Sequence, residues 1–417
     1  MKYSIVTFGC RVNQADSFQI EEQLITAGGA ASSARDADLV VVNTCSVTGS
    51  ADQGARQIVR KIARENPHAR IVVTGCYATR RPDEVAGLAE TIQIVRNDRK
   101  DYLAEDIGLS TAERFGDGDG ACGAAIAPGL AGRTAFTLRV QTGCDQACSY
   151  CIIPSTRGSG RSRPMRDVLL ELDRVSEAGY REIAITGVHL GSYGRDLGDG
   201  SSLLELLKSI EQHARGIRFR ISSLEPMDCS DNIVDLVAAS TCFAPHFHLP
   251  LQHASDSMLV AMRRPYTLEY YRRLVDRIRA KMPHASIGTD IIVGFPGETD
   301  RDFAALEAYL RESPVTHVHV FPYSDRPGTA ATALSNKVHG SIVRDRASVI
   351  RAIGRELSRR FQAAQDGSVR PGLTIEDGSL VVTDNYLKVR ISPGRARNEW
   401  VTVAIASVGD RLSGSVV

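Results

Sequence analysis

Long hydrophobic runs and an excess of either charge are both missing from this sequence. No stretch contains the roughly 18 consecutive apolar residues that indicate a membrane-spanning helix. Met1-Lys2-Tyr3 leads directly into a strand pattern rather than a signal peptide, so we expect a cytoplasmic protein that does not associate with membranes. The formal net charge of +1 excludes a uniformly basic surface, so any binding of nucleic acid must depend on local patches.

Cysteine is well represented, with nine among the 417 residues. In a reducing compartment such cysteines are more readily metal or catalytic ligands than disulfides. Cys144, Cys148 and Cys151 form a C-x3-C-x2-C spacing. A loop with this spacing can ligate three irons of a cubic iron–sulfur cluster and leave the fourth iron open to a substrate or cofactor. A structural zinc site is the alternative, although zinc usually takes four protein ligands and no fourth Cys or His follows at a suitable spacing.

The N-terminal residues 1–108 alternate short apolar runs with helical patterns, which predicts a parallel α/β domain. The predicted strands are Tyr3–Phe8, Leu39–Asn43, Ile71–Thr74 and Ile92–Val95. The first three are each followed by a cysteine, namely Cys10, Cys45 and Cys76. Because the carboxyl ends of parallel strands meet at one edge of a sheet, these cysteines should converge and hold a second cluster with an open iron. Polar residues around Asp16 and Asp52 predict the N-caps of two following helices.

The central residues 133–365 contain six strand patterns separated by helical ones, which predicts a partial (β/α)6 barrel. The predicted strands are Phe136–Gln141, Glu182–Thr186, Arg218–Ser222, His246–Leu251, Ser286–Val293 and Val315–Phe321. Active-site residues belong at the carboxyl ends of such strands. Gly187, Ser223, Glu225 and Gln252 follow the second, third and fourth of them, where a bound cofactor would meet the protein.

Several other residues have plainer interpretations. Residues 109–132 are glycine-rich and without periodicity, which predicts a linker, and Cys122 within it should not be a ligand. His246 and His248 share one face of a strand, where packed or solvated imidazoles are commoner than ligands. Cys229 and Cys242 should be buried hydrophobic residues because neither has a partner at ligand spacing.

The C-terminal part combines a basic helix with alternating apolar residues. The helix is predicted over residues 341–363, and Arg351, Arg355 and Arg359 line one side of it, as a solvated face or as phosphate contacts. Residues 366–417 predict a small β-barrel. Its basic residues interleave with Tyr386 and Trp400, a composition suited to RNA backbone contact and base stacking.

The motifs resemble those of the radical S-adenosylmethionine (SAM) methylthiotransferases along essentially the whole chain. The matching stretches are Gly9–Ser17, Val42–Thr48, Val73–Cys76, Cys144–Arg163, Arg263–Thr267, Thr289–Thr299 and Phe321–Thr329. The final barrel resembles the RNA-binding TRAM domain of that family. One departure is Gln252-His253-Ala254, which stands where the family usually has Gln-Ser-Gly.

The resemblance implies two [4Fe–4S] clusters and SAM as cofactors. Cys10, Cys45 and Cys76 would hold one cluster, and the catalytic Cys144, Cys148 and Cys151 would hold the other and cleave SAM. The implied contacts to SAM are Tyr150, Thr186, Gly187, Ser223, Glu225, Gln252 and Asp290. tRNA, an external one-electron donor and a sulfur source would be the partners.

The stretch Thr186–Asp196 is most similar to the branch that methylthiolates N6-threonylcarbamoyladenosine beside the tRNA anticodon, at position 37. Arg157, Arg161 and Arg195 are candidate partners for the carboxylate of that substrate. Methylthiolation of isopentenyladenosine in tRNA, or of an aspartate in a ribosomal protein, are the alternatives within the family. Outside it, a two-cluster electron-transfer protein and an RNA-binding protein with structural metals stay open.

Overall fold

The computed structural model describes residues 1–109, 127–129, 134–213, 216–408 and 411–417. Most of the predicted linker, including Cys122, lies outside the described residues. The chain forms two compact units. The first contains the N-terminal domain together with Thr142–Gln146 and Cys151–Gly160, and the second contains the rest. The loop that carries Cys144 and Cys151 therefore belongs to the same unit as Cys10, Cys45 and Cys76.

The first unit contains a five-stranded parallel sheet with the strand order β2-β1-β3-β4-β5. Its strands are β1 (Lys2–Thr7), β2 (Ala30–Ala31), β3 (Leu39–Thr44), β4 (Arg70–Gly75) and β5 (Ile92–Val95). β3 is buried along its whole length, because its valine-rich sequence has helices on both faces of the sheet. The four predicted strands are confirmed to within one residue at each end, and only the two-residue β2 was not predicted.

In its described residues the first unit has six α-helices: α1 (Arg11–Thr26), α2 (Gly49–Glu65), α3 (Cys76–Arg80), α4 (Pro82–Ala86), α5 (Leu103–Asp106) and α6 (Ile153–Arg157). A 3-10 helix spans Asn97–Tyr102. The predicted N-caps of the first two helices are wrong. α1 begins directly after Cys10, and the N-cap of α2 is Thr48, whose hydroxyl accepts a hydrogen bond from the Ala51 amide at 3.2 Å. The polar residues around Asp16 lie inside α1 because their side chains bond to the interior of the domain instead.

The second unit contains the predicted six-stranded partial barrel. Its strands are β6 (Phe136–Arg139), β9 (Glu182–Thr186), β10 (Arg218–Ile221), β11 (His246–His248), β12 (Ser286–Val293) and β13 (His317–Pro322); two short segments, β7 (Gln141–Thr142) and β8 (Arg161–Ser162), lie between the first two. They form two parallel three-stranded sheets, β10-β9-β6 and β11-β12-β13. Phe219 of β10 also forms an isolated parallel bridge with Phe243, which shortly precedes β11, so the fold prediction is confirmed.

Helices cover the outside of this barrel and enclose the main hydrophobic core. They are α7 (Met165–Glu177), α8 (Leu203–His213), α9 (Asp231–Ala239), α10 (Asp256–Ala261), α11 (Leu268–Lys281), α12 (Asp300–Glu312) and α13 (Gly340–Ala363), with 3-10 helices at Leu190–Ser192, Pro226–Asp228 and Ala330–Ala333. Alternate residues of the strands, such as Ile183, Ile185 and Ile291, pack against these helices, and Cys229 is buried in the same core as predicted. The other face of each strand is left for polar side chains.

The C-terminal residues form a closed five-stranded barrel in the order β14-β15-β16-β18-β17. Its strands are β14 (Val369–Ile375), β15 (Leu380–Thr383), β16 (Lys388–Arg390), β17 (Trp400–Val408) and β18 (Arg411–Val416). The sequence predicted the barrel but did not single out its first strand, which contains Pro371-Gly372. Pro371 is accommodated in β14 opposite Thr402. Among the described residues, no helix combines the length and the apolar character needed to cross a membrane.

Candidate functional site

Three cysteines meet the carboxyl edge of the N-terminal sheet, as predicted. Cys10 is the N-cap of α1, Cys45 follows β3, and Cys76 is the first residue of α3 directly after β4. A Cβ atom on Gly9 would lie 2.6 Å from the Sγ atom of Cys45, so the loop bearing Cys10 passes directly over the Cys45 thiol. Gly75 has a φ of +99° and its Cα faces the Thr44 backbone, which brings Cys76 beside the end of β3.

Burial disfavours the thiolate form at two of these cysteines, and nearby positive charge offsets it at one of them. Burial raises the pKa of Cys45 to about 11, and the neighbouring Cys10 and Cys76 thiolates add to this effect. For Cys76 burial also opposes ionisation, but the positive charges of Arg157 and Lys100 outweigh it and lower the pKa. Cys10 and Cys76 additionally lie at helix starts, where amide dipoles stabilise a thiolate. Three converging thiols with two buried cations beside them fit a [4Fe–4S] cluster better than they fit a hydrophobic interior.

The two cations are held in a buried network. Arg157 donates to Asp16 at 2.9 Å and to the side chain of Asn13. Lys100 donates to the same Asp16 oxygen at 2.8 Å and to Asn43 at 2.9 Å. The Arg157 side chain is only 3% exposed, so it is engaged within the protein and is not placed to bind a substrate carboxylate. The sequence did not indicate this role for Arg157 or Lys100, because their partners are distant in the chain.

The loop at Cys144 is closed by backbone contacts within the first unit. The Cys144 amide donates to the Gly158 carbonyl at 3.0 Å. Gly143 has a φ of +73°, and a Cβ atom there would lie 1.9 Å from the Ser159 carbonyl oxygen. Only glycine permits this approach, so the predicted cluster loop is folded back on the residues that follow α6.

Each of the three loop thiols accepts a hydrogen bond. The Sγ atoms of Cys144 and Cys151 accept from the amides of Gln146 and Ile153, both at 3.4 Å. The Sγ atom of Cys148 accepts from the Arg264 guanidinium at 3.2 Å. Hydrogen-bond donors around cysteine sulfur are the arrangement by which proteins stabilise and tune iron–sulfur clusters. The donor set of this loop therefore fits a [4Fe–4S] cluster.

Arg264 is a site residue that the sequence did not single out. Besides donating to Cys148, its guanidinium forms an ion pair with Glu225 and donates to the Tyr266 hydroxyl at 3.0 Å. Tyr266 in turn donates to the Pro250 carbonyl at 2.8 Å. Glu225, a predicted SAM contact, is thus oriented by Arg264. The only signal in the sequence was the position of Arg264 inside the family motif Arg263–Thr267.

Two buried polar atoms without a described partner lie at or next to predicted SAM contacts: Oε1 of Gln252 and the hydroxyl of Ser222, the neighbour of the predicted Ser223. Gln252 is 7% exposed, its φ is +69°, and its Oε1 atom has no hydrogen-bond partner in the described parts of the chain. The Ser222 hydroxyl is likewise buried without a partner, whereas the predicted neighbour Ser223 is exposed. Buried polar atoms are normally satisfied, so such atoms fit a site for a polar ligand. Ser222 is the better candidate of the two serines.

The other predicted contacts occupy different surroundings. Thr186 is buried at the end of β9, and its carbonyl accepts from the Val140 amide at 2.9 Å. Gly187 lies against the side chain of Gln141. Tyr150 packs beside a small cluster of buried hydrophobic residues that includes Phe295. These residues therefore lie at or near strand ends, and their contact with SAM stays a prediction.

Asp290 is engaged by two histidines. Its Oδ1 atom is 3.0 Å from Nε2 of His248 and 3.2 Å from Nδ1 of His319. Burial opposes ionisation of this carboxyl, but the two hydrogen bonds outweigh burial and hold its pKa below the ordinary value. A contact from Asp290 to SAM would have to compete with these partners.

Tyr386 and Trp400 each lie against an arginine of β10, while Tyr386 remains 43% exposed. The Arg220 guanidinium lies 4.9 Å from the Tyr386 ring centroid, and the Arg218 guanidinium lies 5.1 Å from that of Trp400. The indole nitrogen of Trp400 also donates to the Gly216 carbonyl at 3.3 Å. These rings hold the C-terminal barrel against the (β/α)6 domain. The exposed basic residues of this part of the chain include Lys388 and Arg390 on β16 and Arg351, Arg355 and Arg359 on α13.

Two family models match separate segments of the chain. The model of the uncharacterized protein family UPF0004 matches residues 2–96, and that of the radical SAM superfamily matches residues 138–310. The threonylcarbamoyladenosine tRNA methylthiotransferase MtaB of Bacillus subtilis is 32% identical over 403 residues, 92% of this chain and 88% of that protein. A tRNA-2-methylthio-N(6)-dimethylallyladenosine synthase of a Parafrankia species is 34% identical over 426 residues, 100% of this chain and 86% of that protein.

A solved structure is also similar. The radical S-adenosylmethionine methyltransferase TsrM from Kitasatospora setae, with cobalamin and a [4Fe-4S] cluster bound, superimposes with a TM-score of 0.56. The match covers 79% of this chain and 76% of that chain at 16% sequence identity, so the likeness concerns the fold.

Proposed function

The chain belongs to the radical SAM methylthiotransferase family, and we propose that it converts N6-threonylcarbamoyladenosine beside the tRNA anticodon into the 2-methylthio derivative. At the level of the family, without the specific substrate, the chain is a transferase that methylthiolates by radical SAM chemistry. The family's cofactors are two [4Fe–4S] clusters and SAM. An external one-electron donor, a sulfur source and a cytoplasmic location complete the proposal.

The two cysteine triads are the residues that would hold the clusters. When bound, the clusters and SAM supply the radical, the sulfur and the methyl group, none of which a protein side chain can provide. Cys10, Cys45 and Cys76 supply thiolates beside Arg157 and Lys100, whose charges offset the negative charge of a cluster. Cys144, Cys148 and Cys151 supply thiolates that accept hydrogen bonds from two amides and from Arg264. Each triad leaves a four-iron cluster with one iron not bound by cysteine.

For SAM we propose contacts from Tyr150, Thr186, Gly187, Glu225, Gln252 and Asp290, with Ser222 beside the originally predicted Ser223. The unpartnered atoms of Ser222 and Gln252 are the strongest candidates, because a polar ligand would satisfy them. Arg264 acts on this region indirectly, since it orients Glu225 while it donates to Cys148.

The choice of substrate rests on the rim of the barrel after β9. Arg195 is exposed in the segment after β9, and Arg161 is exposed at the start of β8. The segments that carry them are joined, because the amide and hydroxyl of Ser162 donate to the Asp196 carboxylate at 2.8 and 2.6 Å. Arg195 also pairs with Asp228 at 2.7 Å, while its side chain remains 62% exposed. Two exposed guanidinium groups on these joined segments suit the carboxylate of a threonylcarbamoyl group and offer nothing to an isopentenyl group.

The test is turnover on two tRNA anticodon stem–loops that differ only in the modification. The anaerobically reconstituted enzyme is given SAM, a reductant and sulfide, and the nucleosides are analysed by mass spectrometry. We expect methylthiolation of the threonylcarbamoyl form and little or none of the isopentenyl form. The opposite preference would overturn the substrate assignment and favour the activity named for the Parafrankia relative.

Arginine variants sharpen this experiment. Arg161→Gln and Arg195→Gln, singly and together, should raise the KM for the threonylcarbamoyl substrate more than they lower kcat. Arg273→Gln is the matched control, because Arg273 is an exposed arginine on α11 that pairs only with Glu269 among the contacts described for its side chain. Equal kinetics for all three variants and the wild type would remove the arginines from the substrate site.

A further inference from the structure

Four histidines and an aspartate share one face of the sheet β11-β12-β13. His246 and His248 lie on β11, Asp290 lies on β12, and His317 and His319 lie on β13. The intervening residues, such as Phe247, Ile291 and Val318, pack in or against the main hydrophobic core on the opposite face. Because successive side chains of a strand alternate, the imidazoles and the carboxylate are brought to the same side.

The strand register places these groups next to one another. His248 is opposite Gly288, Gly288 is opposite His317, and Asp290 is opposite His319. One ligand atom from each of His248, Asp290 and His319 lies within 4.8 Å of the other two. Both imidazole nitrogens point at the same carboxylate oxygen, at 3.0 and 3.2 Å. A short shift of these groups around one ion would replace those two hydrogen bonds by metal–ligand bonds.

Gly288 is required for this crowding. A Cβ atom on it would lie 2.1 Å from Nε2 of His317 and 2.9 Å from Nδ1 of His248. The ring centroid of His317 is 6.1 Å from that of His248 and 5.7 Å from that of His319. Glycine is therefore needed at this position of the sheet, because a side chain there would push the imidazole rings apart.

From this arrangement we propose that His248, Asp290 and His319 bind one divalent transition-metal ion, separate from the two iron–sulfur clusters. Two neutral imidazoles and one carboxylate are a set that zinc and iron(II) take, and they leave further coordination positions open. Magnesium and calcium prefer all-oxygen sites, so they are the wrong ions for this set. His319 is 59% exposed on its side chain, which gives an ion a path to the site.

In this assignment Asp290 ligates the metal ion, and this role replaces the contact to SAM that was proposed for it above. It also changes the interpretation of His248, which the sequence alone indicated as a packed or solvated residue. The substrate proposal does not depend on the metal site, because the arginines of the barrel rim are on other elements. Either proposal can fail while the other stands.

The test is metal analysis of the full-length holoenzyme. Protein reconstituted anaerobically with both clusters is treated with a mild chelator, desalted, and titrated with Zn²⁺ or Co²⁺ alone. We expect one tightly bound zinc per chain beyond the cluster iron, and a cobalt spectrum with weak d–d bands and without thiolate charge-transfer bands. A wild-type protein that binds no such equivalent, or one whose cobalt spectrum shows thiolate ligation, would overturn the proposal.

Variants identify the ligands. Two variants test the ligands: Asp290→Asn, and the double variant His248→Ala with His319→Ala. Each should lose the bound metal equivalent while the cluster iron stays unchanged. The control His339→Gln removes an exposed imidazole at the start of α13 and should keep the bound metal equivalent. Metal that persists in Asp290→Asn and in the histidine pair refutes the site. If the pair fails to fold, the Asp290→Asn protein and the wild-type spectrum still decide, because asparagine preserves the size of the side chain.

Discussion

The guanidinium of Arg157 donates to the carboxylate of Asp16 at 2.9 Å, across 141 residues of sequence. The contact connects α6, which follows the cluster loop, with α1, whose N-cap is Cys10. A second contact lies nearby, because the side-chain amide of Asn97 donates to the Thr156 carbonyl at 2.8 Å. Residues that would serve the two clusters are thus joined within one compact unit.

Removing Arg157 should damage the N-terminal cluster site. Arg157→Gln removes one of the two cations that pair with the buried Asp16 and takes one positive charge away from Cys76. Breaking a buried pair costs about 3–5 kcal/mol, so we expect a marked fall in the anaerobic urea midpoint. Reconstituted iron should drop from about eight to about four per chain. Arg35→Gln, which breaks an exposed pair with Glu65, is the control and should change neither quantity measurably.

The division of labour between the triads is directly testable. Replacing Cys10, Cys45 and Cys76 together by Ala should halve the iron and abolish methylthiolation, yet leave reductive cleavage of SAM intact. The reason is that the thiols of the other triad have their own hydrogen-bond donors. The measurement is 5′-deoxyadenosine formed from SAM under dithionite. Loss of cleavage while the remaining cluster is spectroscopically intact would contradict the assigned roles.

Arg264 should set the reduction potential of the cluster at Cys144, Cys148 and Cys151. Its guanidinium gives the Cys148 sulfur a hydrogen bond and a nearby positive charge, both of which favour the reduced cluster. Arg264→Gln should therefore shift the midpoint potential to more negative values, and Arg264→Lys should shift it less because the charge is kept. An EPR-monitored redox titration gives the result. Identical potentials in the wild type and Arg264→Gln would restrict Arg264 to orienting Glu225.

Much of this arrangement followed from local patterns. Strands such as β3 were recognisable because continuous valine runs indicate burial on both faces. The cysteines could be placed at one sheet edge because each directly follows a strand. The partners of Arg157 and Lys100 could not be predicted, since nothing near either residue specifies Asp16. The pattern also misplaced the start of α1, because Asn13 bonds to the Phe8 and Thr44 carbonyls instead of capping the helix.

The histidine cluster needed the strand register, which the sequence does not state. His246 and His248 were visible as a pair on one strand, and the pair by itself indicated no ligand set. Only the pairing of Asp290 with His319 across β12 and β13 brings the third group into place. The contact between Tyr386 and Arg220 could not be predicted for a related reason, since Arg220 lies on β10, distant in sequence.

His253 should make stability depend on pH. Burial lowers the pKa of its imidazole to about 4, while Asp302 favours and Arg346 opposes the charged form, and Glu298 lies 3.9 Å away. The unfolded chain binds a proton near pH 6.5 that the folded chain refuses until about pH 4. The stabilisation is therefore complete above pH 6.5 and is lost as the pH falls towards 4, by about 3 kcal/mol at most. His253→Ser should have a flatter pH profile of the urea midpoint than the wild type between about pH 4.5 and 6.5, a range of about two units that lies inside this window.

The exposed arginines of α13 should carry a measurable share of tRNA binding. Arg351, Arg355 and Arg359 lie on one exposed side of the helix, whereas Ile350, Ile353 and Leu357 bury the other. Phosphates neutralised by arginine release counterions, so each lost contact lowers the slope of log K against log salt by about 0.7 to 0.9. The triple Arg→Gln variant should thus bind tRNA more weakly at low salt and show a slope reduced by about 2 to 3.

A matched variant separates this helix from the C-terminal barrel. Lys388→Gln with Arg390→Gln removes two exposed charges of β16 without touching Tyr386 or Trp400, whose rings hold the barrel in place. Deleting the barrel would be a poorer test, because it would uncover Arg218 and Arg220. If the helix variant keeps the wild-type slope and the strand variant loses it, the RNA contact belongs to the barrel. If both lose part of it, tRNA lies across both surfaces, since contributions of separate phosphate contacts to the slope add.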